Sequence, residues 1–274
     1  MTMLPFKGFD SKKSGKIILW SIVLTVFVLS VGFTESRLSH QPVIGLEAKV
    51  LDTTGHSFLT KDDLMDIVTI KHGDIISKPI SSINMAVLEK CVLSNPFVAE
   101  ARVFSTIDGK LHVEASQRNP IVRVINSQNE SFYIDDKGWM MPMSDKYTAR
   151  VPVANGNICH REAERYVRTY SEKELADSSK TIPVVAQVFA VAKFIHDDPF
   201  WSSQIEQMYV NGDGDIELIP RVGDHTVLFG DATELREKFA KLHVFYTEGL
   251  NKTGWNKYTR INLKYQDQVV CTKR

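Results

Sequence analysis

Cysteine is scarce in this sequence and never clustered. Cys91, Cys159 and Cys271 lie far apart in 274 residues with no CxxC spacing, which excludes a disulfide framework and a four-ligand zinc site. An odd count leaves at least one thiol without an intrachain partner, and all three read as small apolar residues. An excess of charge is missing too: 33 basic and 33 acidic side chains cancel, so there is no bulk attraction to nucleic acid. Catalytic signatures are absent. There is no HExxH, GxSxG, P-loop or GxGxxG. Lys252-Thr253-Gly254 matches one motif of penicillin-binding enzymes, but no serine has the lysine three residues on that the SxxK nucleophile requires. Asp213 and Asp215 lack the further oxygen ligands of a calcium loop and read as a turn. The eight histidines show no metal-ligand spacing. No catalytic residue, metal or cofactor is expected, and an interaction protein remains.

Long hydrophobic runs are also rare, with one exception. Residues 17–33, IILWSIVLTVFVLSVGF, carry no charge. As a helix they extend about 25 Å, slightly short of a hydrocarbon core of about 30 Å, and flanking Lys16 and Arg37 can snorkel. Lys7, Lys12, Lys13 and Lys16 precede the run against Asp10 alone, whereas the charges after it balance. The positive-inside rule therefore keeps residues 1–16 in the cytoplasm and puts the rest outside. The alternative is a cleaved secretory signal, since Ser30-Val31-Gly32 offers small residues; the length of the run and the lack of a clear A-x-A site favour an uncleaved anchor.

After a tether over 34–42, residues 43–117 read as a β-α-α-β-β unit: strand Val43–Leu51, a helix opened by Thr60 and Asp63, a second helix Ile83–Ser94 stopped by Asn95-Pro96, and two strands joined at Asp108-Gly109. Leu111, Val113 and Ala115 face the core of this unit, His112 and Glu114 face water, and Cys91 lies in the core. Residues 118–274 form a second, β-rich domain. Its strands are Ile121–Asn126, Ser131–Ile134, Val151–Ala154, Ile205–Val210, Asp215–Ile219 and Thr226–Phe229. A helix over Pro183–His196 is apolar on most faces and serves as its spine. A last helix, from about Asp231 to Gly249, carries Leu235, Phe239, Leu242 and Tyr246 on one side. His196-Asp197-Asp198 is the polar end of the spine helix. Residues 160–180, dense in charges of both signs, read as a solvated loop or exposed insertion.

The chain closes on Ile261–Val270, predicted as one strand with Ile261, Leu263 and Tyr265 facing one way and Asp267 interrupting that face. A strand arriving last is often left at a sheet edge, open to another chain by β-augmentation. It is otherwise paired on both sides in its own sheet, and Lys264 fits either a binding surface or a guard against pairing.

The order of segments resembles the bacterial division family FtsQ/DivIB. Its marks are Asn95-Pro96-Phe97-Val98 through Ala101 and Val103, Gly109-Lys110-Leu111, and Gln117-Arg118-Asn119-Pro120-Ile121, which resembles the family's arginine-x-proline junction between domains. Phe132–Gly138, Val151–Gly156, Ile205–Ile219, the Lys238–Tyr246 helix and Ile261–Tyr265 complete the series. The sequence departs from the family at Lys264, where arginine is usual, at Gln266-Asp267-Gln268, and in the 160–180 insertion. The resemblance implies an α+β protein with one N-terminal transmembrane helix, a POTRA domain and a β-rich domain. It implies a non-enzymatic divisome scaffold in the bacterial inner membrane, N-terminus cytoplasmic and C-terminus periplasmic, concentrated at the septum. Its POTRA domain would aid recruitment, and its C-terminal strand would bind FtsB- and FtsL-like coiled-coil partners. By position Tyr265 is an anchor side chain, and Gln266, Asp267, Gln268, Val269 and Val270 supply edge main chain. The runner-up is another POTRA-bearing envelope protein, in outer-membrane protein assembly or secretion.

Overall fold

The computed structural model describes residues 19–29, 41–51, 55, 57–73, 75–159, 165–177 and 179–274. Residues 19–29 are helical with exposed apolar side chains. Among the described residues no helix is long and apolar enough to cross a membrane. Positions 17, 18 and 30–33 of the expected anchor, and Lys7, Lys12, Lys13 and Lys16, lie outside the described residues. The remainder forms two compact units; residues 51–60 and 95–100 belong with the second although they are early in the chain.

The first unit has the β-α-α-β-β order read from the sequence: β1 (Gly45–Leu51), α1 (Lys61–His72), α2 (Met85–Leu93), β2 (Val98–Ser105) and β3 (Lys110–Gln117), with the sheet ordered β1-β3-β2. Asn84 caps α2, its side-chain oxygen accepting from the Val87 amide at 3.2 Å. Leu64 and Val68 of α1, Leu88 and Val92 of α2, and Leu111, Val113 and Ala115 of β3 are buried together in number enough for a small core. Cys91 is only half-buried, and Val87, grouped with it on the apolar face, is exposed. His112 stacks on Phe104 with centroids 5.2 Å apart, the solvated cross-strand role expected of it.

The second unit is a mixed sheet of nine strands in spatial order β12-β11-β10-β9-β8-β7-β4-β5-β6. Its strands are β4 (Pro120–Ile125), β5 (Ser131–Asp135), β6 (Met140–Pro142), β7 (Val153–Gly156), β8 (Ile205–Val210), β9 (Ile216–Pro220), β10 (Thr226–Gly230), β11 (Tyr258–Asn262) and β12 (Val270–Lys273). The pairs β4/β7, β7/β8 and β10/β11 are parallel. Parallel neighbours need crossover connections. Between β7 and β8 the crossover is helical: α3 (Glu172–Leu175), α4 (Val184–Asp197) and α5 (Pro199–Gln204). Between β10 and β11 it is α6 (Leu235–Val244), a π-helical turn Phe245–Leu250 and a last turn Asn251–Thr253. The spine helix α4 buries seven side chains, Val185 through Ile195, against the sheet, which its all-round apolar sequence demands. Alternation along β5 sends Phe132 and Ile134 into this core and Tyr133 into a separate cluster with Phe58, Met141 and Ala149.

Three expectations are corrected. The charged 160–180 segment is not simply solvated. Tyr166 bridges to Trp139, and Val167 and Leu175 enter the main core because its few apolar residues are spaced to dock; 160–164 and 178 lie outside the described residues. Asp198 ends α4, as the sequence suggests, and also starts α5, accepting from the amides of Phe200 and Trp201 ahead of Pro199 at the first helical position. The last helix runs past Gly249 to Thr253, because the π-helical turn keeps Tyr246 and Leu250 buried. Finally, Ile261–Val270 is not one strand, for the reason given next.

Candidate partner-binding edge

Ile261 and Leu263 are buried, and the Leu263 amide still donates to Leu228 on β10, so the parallel pairing holds to that point. There the chain bends. The Asn262 side-chain oxygen accepts from the Lys264 amide at 2.9 Å, and Asp267 adopts φ of 55°, a left-handed conformation that Asp tolerates better than most residues. The Lys241 ammonium on α6 fixes the bend, donating to the carbonyls of Tyr265 at 2.9 Å and Leu263 at 3.3 Å. Past the bend, Val269 packs on the core and β12 returns antiparallel along β11, with Asn262 opposite Val270, Ile261 opposite Cys271 and Arg260 opposite Thr272.

Strand β12 has β11 on one side and, among the described residues, no strand on the other. The Arg274 amide donates to the Lys257 carbonyl, which sets the phase. Backbone groups alternate along a strand, so Val270 and Thr272 point their N–H and C=O groups at β11, and Cys271 and Lys273 point theirs at the open side. This is the arrangement a partner strand requires. Beside it lies an open groove of about 430 Å³ between α6 and the bend, lined by Ala240, Val244, Phe245, Gln268 and Val269. Val244, Tyr265 and Val270 are exposed apolar side chains in these same elements, at 60%, 51% and 43%.

The basic side chains of this end are largely matched from within. Lys264 binds Asp215 at 2.7 Å, and that hydrogen bond raises the lysine's pKa. Arg260 pairs with Glu217, and Arg274 pairs with Asp224, whose carboxyl it holds below the usual range. Such exposed pairs fix geometry more than they add stability. Burial pushes the pKa of the half-buried Cys271 thiol up. Among the described residues no group of His, Cys, Asp and Glu is arranged to hold a metal.

Of the residues singled out in the sequence, Tyr265, Gln266 and Asp267 form the bend, Gln268 and Val269 follow it as loop, and Val270 alone belongs to the edge strand. The rest of the edge, Cys271, Thr272 and Lys273, went unrecognised. The polar Gln266-Asp267-Gln268 run followed by Val-Val-Cys-Thr was its signal. At the junction, Arg118 donates to the buried Asp135 carboxylate at 2.9 Å and lies 4.9 Å over the Trp139 ring. Pro120, buried, opens β4, where the missing N–H is tolerated.

Residues 119–272 match the family described as FtsQ/DivIB, C-terminal related, and residues 44–116 match the POTRA-like domain. No curated protein matches the chain. The first match alone covers more than half of the sequence, and the chain belongs to the FtsQ/DivIB, C-terminal related family, with a POTRA-like domain ahead of its β-rich domain.

Proposed function

We propose that this protein is a non-enzymatic scaffold of the bacterial division machinery, binding a partner by strand addition to β12. In this reading residues 1–16 are cytoplasmic under the control of Lys7, Lys12, Lys13 and Lys16, 17–33 span the inner membrane, 34–42 are a tether, 43–117 are the POTRA domain and 118–274 the partner-binding domain. Family membership supports the division role. The observation that carries the mechanism is the open side of β12. Main-chain bonds to that edge supply affinity, and the groove beside α6 and exposed Tyr265 supply side-chain selectivity for FtsB- and FtsL-like coiled-coil proteins.

The test is fluorescence localisation in dividing cells of the full chain beside one ending at Val269. Cutting before β11 would remove buried Ile261 and Leu263 and unfold the core, whereas ending at Val269 removes the edge strand alone. Both chains should gather at midcell, and only the full chain should bring its coiled-coil partners. Even distribution of the full chain around the envelope would overturn the division role; partner recruitment by the shortened chain would overturn the edge mechanism.

A further inference from the structure

Three segments of the first unit meet at the end of its sheet where β1 begins. Residues 41–44 run between the 75–80 turn and the tip of the β2–β3 hairpin. On one side the Val43 amide donates to Lys78, and the amides of Ser77 and Ile80 donate to Val43 and Gln41; on the other the Ile44 amide donates to Gly109 at 2.9 Å. Gly109, at φ of 81°, allows the tip to close on this segment, because a Cβ there would sit 3.2 Å from the Pro42 carbonyl and 3.5 Å from the Ile44 side chain.

This end carries three isoleucines that the fold does not bury: Ile107 is 81% exposed, Ile44 61% and Ile76 52%. Ile107 occupies a central position of the Thr106–Gly109 turn, where Asp, Asn, Pro or Gly contributes to the turn and isoleucine does not. Scattered exposed apolar residues need no explanation, but large ones on three segments stitched together by backbone hydrogen bonds do. The neighbouring charges are engaged: Asp108 accepts from the Thr106 hydroxyl, and Lys110 pairs with Glu47.

Chain length names the occupant. Only residues 34–42 separate the apolar 17–33 run from Val43. Nine residues at roughly 3.5 Å each reach about 30 Å at most, and the chain enters the unit at the isoleucine end. We infer that this tip rests in the headgroup region of the lipid bilayer, with Ile44, Ile76 and Ile107 seated at the boundary between headgroups and acyl chains. The inference rests on the reading of 17–33 as an anchor. Tethering keeps the tip at high local concentration above the lipid, so a contact too weak to bind a free domain suffices.

The test uses the full chain reconstituted in phosphatidylcholine–phosphatidylglycerol vesicles, with its three native cysteines replaced. A fluorophore is placed on Asp108→Cys at the tip or on Leu93→Cys, which the β2 direction puts at the opposite end of the unit. Nitroxide lipids should quench the tip probe at least threefold more strongly than the distal one. The excess should vanish in the Ile44→Ser, Ile107→Ser double variant, whose circular dichroism should be unchanged. Equal quenching of both probes in chains that float with the vesicles overturns the inference and leaves the anchor standing. A tip probe shielded from aqueous iodide but not quenched by nitroxide lipid also overturns it, in favour of a protein partner. Chains that do not float with the vesicles refute the anchor, and the inference with it.

Discussion

Proline at Lys273 tests the edge mechanism at one atom. The phase set by the Arg274 amide turns the Lys273 N–H to the open side of β12, and the side chain is exposed. Lys273→Pro therefore removes no bond of the folded chain, and an extended residue before it is already what proline prefers. A bound strand, however, loses one N–H···O bond worth about 1 kcal/mol and keeps a carbonyl facing no donor, a further 1–3 kcal/mol. The sum, about 2 kcal/mol or more, raises Kd roughly thirtyfold. Thr272→Pro is the counterpart: its N–H faces β11, so that variant loosens the hairpin itself and lowers Tm. Titration calorimetry of the full chain in nanodiscs with a purified FtsB/FtsL-like coiled-coil partner, beside thermal unfolding, separates the two. Binding by Lys273→Pro within twofold of the unaltered protein would refute strand addition at β12.

Removing Arg118 as Arg118→Ala takes the cation from the Asp135 carboxylate, 1% exposed, and leaves it the Lys137 and Trp139 amides as donors. Urea unfolding should show a loss of about 3 kcal/mol, and a loss under 1 would assign the pair no structural weight. His225 is 5% exposed, its Nε2 2.9 Å from the Tyr246 hydroxyl, and burial holds its pKa below the ordinary 6.5. The unfolded chain takes up that proton first, so stability present above pH 6.5 falls as the pH drops, by up to about 1.4 kcal/mol per unit. The lowered Asp224 and Asp231 carboxyls act nearer pH 4, so Tm between pH 7.5 and 5.5 isolates the histidine, and His225→Gln should flatten that slope. Gly156→Ala places a methyl 2.2 Å from the Val210 carbonyl at φ of 99°. It should cost at least 2 kcal/mol in chemical denaturation, and a neutral effect would mean that the β7–β8 ladder yields there.

Local chemistry made much of the architecture legible. The Asp108-Gly109 turn, the 2-residue alternation of β3 and the all-round apolar α4 each state their element in a few residues, and the β-α-α-β-β order follows. The 160–180 segment was obscure because two buried side chains, Val167 and Leu175, make no periodic stripe among so many charges. The candidate site was legible in place but not in form. Ile261 to Tyr265 has the alternation of a strand, and Asp267 breaks it before Val269; what no neighbour in sequence announces is the Lys241 ammonium, which reaches from α6 to the carbonyls of Leu263 and Tyr265 and stabilises the bend.

By itself the sequence determined the single long apolar run, the absence of catalytic motifs and the series of elements, because each depends on residues a few positions apart. Only the tertiary structure decided that the last strand folds back on β11, that β12 has one strand neighbour among the described residues and so turns the backbone groups of Cys271 and Lys273 to the open side, and that Ile44, Ile76 and Ile107 share one end of a sheet. Those facts depend on segments tens of residues apart meeting in space, where pairing and burial override local pattern.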